Sequence, residues 1–259
     1  MKLEIISQIP ENPKSPPLLF IHGAMHGAWC WSEYFVPFFA QAGYPSYALS
    51  FRGHGNSEGQ IEGTTLRDYL EDIRQVAEQL PEPPIMVAHS LGAFLILKYI
   101  EKYPIKGAIM VSPTFSFPLY MRIPGVILGK PAYPFIKNRK VPAPKNTETV
   151  RRMFFSQQLP EEQLQHYTSQ MCDGSMLGFM GLLWEKPPKA ASARQVPLFF
   201  QVNATDTMRK FMPDDKFAKL YGAERRVYYG TAHNMMLEVN WREVAEDGLN
   251  WLKKHFPQR

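Results

Sequence analysis

The stretch IMVAHSLGAFLILKYIEKY, residues 85–103, carries the strongest structural signal in the chain. Apolar residues run without a break from Ile85 to Ala88, after the prolines at 83 and 84, and a second apolar run with helical character begins directly after Ser90. A short continuous apolar segment of the first kind reads as a strand buried on both faces of a parallel sheet. The joint, AHSLG at 88–92, therefore sets a serine in a sharp strand-to-helix turn. Ala88 and Gly92 are small enough for the backbones to approach closely around it. A serine at a helix start faces unpaired N–H groups that favour developing negative charge. The bland reading of Ser90 is a helix N-cap, and the context on either side decides between the two.

Outward from this joint the pattern repeats. PPLLFIHG (16–23), YPSYALSF (44–51), GAIMVSP (107–113), VPLFFQVN (196–203) and RRVYYGT (225–231) read as strands, with an edge strand at 3–9. Helical spacing covers 29–41, 65–80, 211–221 and 241–255, and RGHGNSEGQIEG (52–63) is a Gly-rich loop. Alternation of this kind predicts a three-layer α/β domain built on a mostly parallel sheet. It stops at residue 113. The segment that follows is rich in Pro, aromatic and Met residues, with helices expected at 147–157, 160–171 and 173–184. It is too long for a strand connection and reads as an inserted helical cap. The expected division is a core of 1–113 and 196–259 and a cap of 114–195.

Composition narrows the function. The chain has 259 residues, 45% of them hydrophobic, which excludes a disordered protein. Its two cysteines, Cys30 and Cys172, cannot make a disulfide framework and are expected to be free thiols. Lys and Arg number 29 against 24 Asp and Glu. The excess lies in 114–195, with 11 against 5, while the remainder has 18 against 19. A basic cap on a near-neutral core, without a recognition motif, argues against nucleic acid as partner. Neither a leader nor an apolar run of about 18 residues appears. The expectation is a cytoplasmic monomer or homodimer with no integral membrane contact, at most touching lipid transiently.

A serine nucleophile needs an oxyanion site, a base and an acid. HGAMHGAW (22–29) follows a central strand, and Gly23 allows a tight turn there. The N–H of Ala24 with that of Leu91 would then form a two-donor oxyanion hole. Among seven histidines, His233 follows the last strand in YYGTAHNMMLE. His255 and His166 lie in helices, His54 is expected to order its Gly-rich loop, and His22 and His26 read as structural. Asp206, in VNATDTM after strand 196–203, precedes His233 by 27 residues and is the expected acid. Asp214 and Asp215 are the alternatives, at a helix start where charge has its own use.

The order Ser90, Asp206, His233, together with HGAMHGAW, LSFRGHGNSEG and VAHSLG, resembles the α/β-hydrolase superfamily over residues 16–113 and 196–256. Within it the chain looks most like compact lysophospholipase- or esterase-type enzymes. HGAMHGAW is also similar to the opening of plant methylesterases and hydroxynitrile lyases. The resemblance implies cleavage of a small-molecule carboxylic ester through an acyl-enzyme, under a cap that shapes the pocket. The lyases typically carry Lys directly after the base, where this chain has Asn234. Ala88 replaces the first elbow Gly of the family, and Phe51 stands where many members have Asp. A cofactor-free haloperoxidase or perhydrolase, a C–C hydrolase, and a non-enzymatic small-molecule binding protein remain as alternatives. No cofactor and no metal are expected, because the chain has no HExxH and no phosphate-loop glycine motif. Candidates for contact with substrate are Met25, Phe115, Phe117, Met176, Met180 and Trp184. Arg139, Lys140, Arg151 and Arg152 would either attract an anionic group or form a solvated basic face.

Overall fold

Seven strands form one sheet in the order β1-β3-β2-β4-β5-β8-β9. They are β1 (Ile5–Gln8), β2 (Leu18–Ile21), β3 (Ser46–Leu49), β4 (Ile85–His89), β5 (Gly107–Val111), β8 (Leu198–Asn203) and β9 (Glu224–Tyr228). Only β1 runs antiparallel to its neighbour; every other pairing is parallel. The structure, a computed structural model, describes residues 1–13, 15–115, 140–186, 188–205 and 214–257.

β2, β4, β5 and β8 are buried along their whole length. Their side chains alternate between two cores, as the pleat requires. Leu19, Ile21, Met86 and Ala88 face one core, shared with α3 (Leu66–Ala77) and α4 (Leu91–Tyr99). Leu18, Phe20, Ile85 and Val87 face the other, shared with α1 (Trp29–Ser32), α2 (Phe35–Gln41) and α10 (Trp241–His255). Burial on both faces explains why these strands read as unbroken apolar runs. Residues 29–41, expected as one helix, form two. Pro37 has no N–H and its ring excludes a helical carbonyl at residue 33, so the helix begins anew at Phe35.

Between β5 and β8 the chain leaves the sheet. Here lie α5 (Thr147–Phe154), α6 (Glu161–Gln170), α7 (Met176–Trp184) and the short α8 (Ala190–Ala193). A two-residue ribbon, β6 (Lys140–Val141) against β7 (Gly174–Ser175), was not foreseen; strands so short leave no periodicity to read. Val150, Leu159, Leu164 and Tyr167 of the insertion join the second core. α7 sits on α3, its Gly178 close to Tyr69 and its Gly181 against Leu66. After β8 comes α9 (Asp214–Tyr221). Among the described residues no helix is long and apolar enough to cross a membrane.

Candidate active site

β4 and α4 meet at Ser90, which takes φ 49° and ψ −115°. A non-glycine residue there is strained, and the surrounding packing holds it. A Cβ on Gly92 would meet the carbonyl oxygens of Ile21 and His22 at 2.8 Å, so only glycine lets α4 start this close to β2. Gly23 is constrained from the other side, where a Cβ would lie 2.6 Å from His89 Nδ1 and 3.1 Å from Ser90 Cβ.

The loop after β9 brings His233 over this turn, with Nε2 2.9 Å from Ser90 Oγ. That is within reach for proton transfer. Ser90 Oγ has a second neighbour, Thr114 Oγ1, at 3.2 Å. With Nε2 as acceptor, the serine hydroxyl donates to His233 and accepts from Thr114. Thr114 was not picked out from the sequence. Its signal was topological: it follows the carboxyl end of β5, the strand beside β4.

His89 donates from Nε2 to the backbone oxygen of His233 at 3.0 Å and so fixes the loop that carries it. His26 donates from Nδ1 to Ala24 O at 2.7 Å and accepts from Asn234 Nδ2 at 2.9 Å. His22 donates to Gly23 O and accepts from the N–H of Phe51. His54 donates to Arg52 O. Burial, with nearby histidines, holds the pKa of His22 and His89 far below the ordinary value, and brings His26 down to about 4. Burial lowers His54 too. These four rings are neutral structural groups, as expected of His22, His26 and His54.

Ala24 and Leu91 border one small recess beside the turn, and among the described residues neither N–H donates to another group. A cavity of about 410 Å³ opens beside His233. Its walls include Arg152, Phe154 and Gln158 of the insertion, together with Asn203, Thr231 and His233 of the sheet domain.

Met25, Phe115, Met176, Met180 and Trp184 are not among the residues that line this cavity. Phe115 is drawn into the core, stacked on Phe217 with ring centres 4.0 Å apart. Met25 is buried at a turn with φ 66°. Trp184 ends α7, 60% exposed, beside Lys98 and Lys189. Met176 and Met180 are half-buried on the same helix. Asp206, Phe117 and Arg139 lie outside the described residues. Cys30 and Cys172 are free thiols.

A family model described as the Alpha/beta hydrolase family matches residues 18–247. Salicylic acid-binding protein 2 of Nicotiana tabacum is 27% identical over 218 residues, 81% of this chain and 76% of that protein. Norfluorocurarine synthase 1 of Strychnos nux-vomica is 35% identical over 101 residues, 38% of each chain, so the match spans under two fifths of that relative. Among solved structures, the monoacylglycerol lipase of Paleococcus ferrophilus superposes with a TM-score of 0.75 at 18% identity, covering 98% of this chain and 100% of that one. That last likeness is one of fold.

Proposed function

The chain belongs to the alpha/beta hydrolase family, and from that membership we propose that it is a serine hydrolase of carboxylic esters. The observation that carries the reading is the 2.9 Å contact between His233 Nε2 and Ser90 Oγ at a strained strand-to-helix turn. In the proposed cycle Ser90 Oγ bonds to the ester carbonyl carbon while His233 takes its proton. The N–H groups of Ala24 and Leu91 hold the oxyanion. The tetrahedral adduct expels the alkoxide, which takes the proton from His233 and leaves as alcohol. Water then gives a proton to the same ring and attacks the acyl-enzyme. Collapse returns that proton to Ser90 and releases the acid. Asp206 is assigned to hold the protonated His233 Nδ1, on its position in the sequence. Relatives named as methylesterases and a methyl jasmonate esterase lend the ester class support.

The cyanohydrin-cleaving alternative is disfavoured by Asn234. Its amide is spent on buried His26, leaving no cation directly after the base. We assign 1–113 and 196–259 to the core, 114–195 to the cap, and the protein to the cytoplasm. The test is labelling by a fluorophosphonate together with hydrolysis of simple esters. Ser90→Ala is expected to abolish labelling and to lower kcat by at least about 10⁴-fold. A folded wild-type protein that neither labels nor cleaves any ester refutes the reading.

A further inference from the structure

Beside the oxyanion donors, two buried polar atoms have nothing to bind. His54 and Tyr69 are each 2% exposed, and both border the recess that Ala24 and Leu91 also border. His54 is held by one nitrogen only. Its Nδ1 donates to Arg52 O at 3.0 Å, which leaves Nε2 of the neutral ring as an acceptor. Among the described residues Nε2 takes no hydrogen bond, and neither does the Tyr69 hydroxyl. Unlike the sealed hydroxyls of Ser112 and Thr231, both atoms remain accessible, and the recess is the opening they share. Ser175, also at its wall, is already engaged: its hydroxyl donates to Thr64 O and accepts from the Gly178 N–H. The recess holds about 10 Å³, room for one water-sized group. Leaving two buried polar groups unpaired is costly, and a polar group seated there would satisfy both.

We propose that this recess is an acyl-side subsite for a hydroxyl, so that the preferred substrates are esters of short hydroxy acids, selected by His54 and Tyr69. The inference rests on the ester reading above. Four bonds diverge from the tetrahedral carbon: to Ser90 Oγ, to the oxyanion at Ala24 and Leu91, to the leaving oxygen at His233 Nε2, and to the acyl carbon. Phe51, Tyr69 and Leu91 belong to the core on the α3 face of the sheet, with Ala24 packed against it. His233 faces Phe154, whose ring packs on the opposite core. The recess therefore lies across the oxyanion donors from His233, where the acyl carbon leads and the alcohol portion does not. The two open atoms set the chemistry of the group. Nε2 can only accept, so the group must carry a proton, and the Tyr69 hydroxyl can donate back to its oxygen. A hydroxyl meets both requirements; a methyl meets neither, and a carbonyl lacks the proton. The small volume places that hydroxyl on carbon 2 or 3 of the acid.

Two isosteric pairs of ethyl esters test this: glycolate against propanoate, and 3-hydroxypropanoate against butanoate. Each kcat/KM is divided by the rate of alkaline hydrolysis of the same ester, which removes intrinsic reactivity. Wild type is expected to prefer the hydroxy member of at least one pair by about 10-fold or more, because a site built for a hydroxyl is left unpaired by the analogue without it. Tyr69→Phe should bring that ratio to within about twofold of unity. His54→Asn, which keeps a donor for Arg52 O but lacks Nε2, should do the same. Tyr69→Phe deletes a hydroxyl without a partner, so it should melt at or above wild type; a clearly lower melting temperature would mean the hydroxyl is already bonded, and overturns the inference. Cleavage without a hydroxy preference in either pair, or a ratio unchanged in both variants, means that the recess holds water only and overturns this inference alone. Labelling of Ser90 without cleavage of either hydroxy ester does the same. No cleavage of any ester and no labelling overturns it together with the ester reading.

Discussion

Ser90 spends its backbone on chemistry. At φ 49° and ψ −115° it occupies a region that glycine enters far more readily. Ser90→Gly should therefore be inactive yet more stable than wild type by about 1 kcal/mol, read from urea unfolding; equal or lower stability would mean the turn is not strained. Gly23 presents the reverse case. A methyl at Gly23→Ala would press on the His89 ring, whose Nε2 holds the backbone oxygen of His233. The expected result is a loss in kcat of about 10-fold or more with KM little changed, since the base shifts while the cavity keeps its walls. Ser90 was legible because it follows a strand whose apolar run is plain in sequence, and His233 because it comes soon after the last strand. Phe115 shows where such reading stops. An aromatic residue just past a strand end suits a pocket or a core equally, and only the stacking of Phe217 and Tyr221 decides.

Between elements, Arg52 ties the loop after β3 to α3 through two ion pairs, to Asp68 at 2.9 Å and to the buried Asp72. Asp72 is fully buried, and its carboxylate accepts from the Arg52 N–H at 2.9 Å and from the Arg52 guanidinium at 2.7 Å. Burial raises the pKa of Asp72 despite its partner. Arg52→Ala leaves that carboxylate without its cation and should cost roughly 3–5 kcal/mol in urea unfolding. The double variant Arg52→Ala with Asp72→Ala should recover part of the loss; additive losses would show that the two residues do not act as a pair. Asp72 carries no local signal in LEDIR, residues 70–74. Its partner lies 20 positions earlier, beyond the reach of any local pattern. The division of 29–41 into two helices, in contrast, was written in Pro37 and was passed over because the aromatic face continues across the break.

The whole molecule gathers neutral histidines beneath its site. For His22, His26, His54 and His89 the folded pKa lies below the unfolded value near 6.5. Such groups add stability that is fully present above pH 6.5 and is lost as pH falls through the folded value. His26 alone, with a folded pKa of about 4, accounts for roughly 3 kcal/mol at acid pH. Urea midpoints should fall steeply between pH 7 and pH 4, and the fall should be shallower in His26→Asn; an unchanged slope would sink this account. The alternation of strands and helices made the sheet domain readable from end to end. The attachment of the insertion was not, because its anchors join residues some 80 positions apart. Asn234 donates its backbone N–H to Phe154 O at 3.0 Å, and Glu238 accepts from Ser156 N–H and Oγ at 2.6 and 2.8 Å. Those two clasps hold the end of α5 to the loop that bears His233. The roof over the site and its base therefore cannot separate here without exposing two amides, those of Asn234 and Ser156, to solvent. Matched deuterium uptake at those two positions then becomes a clock for how often the roof lifts.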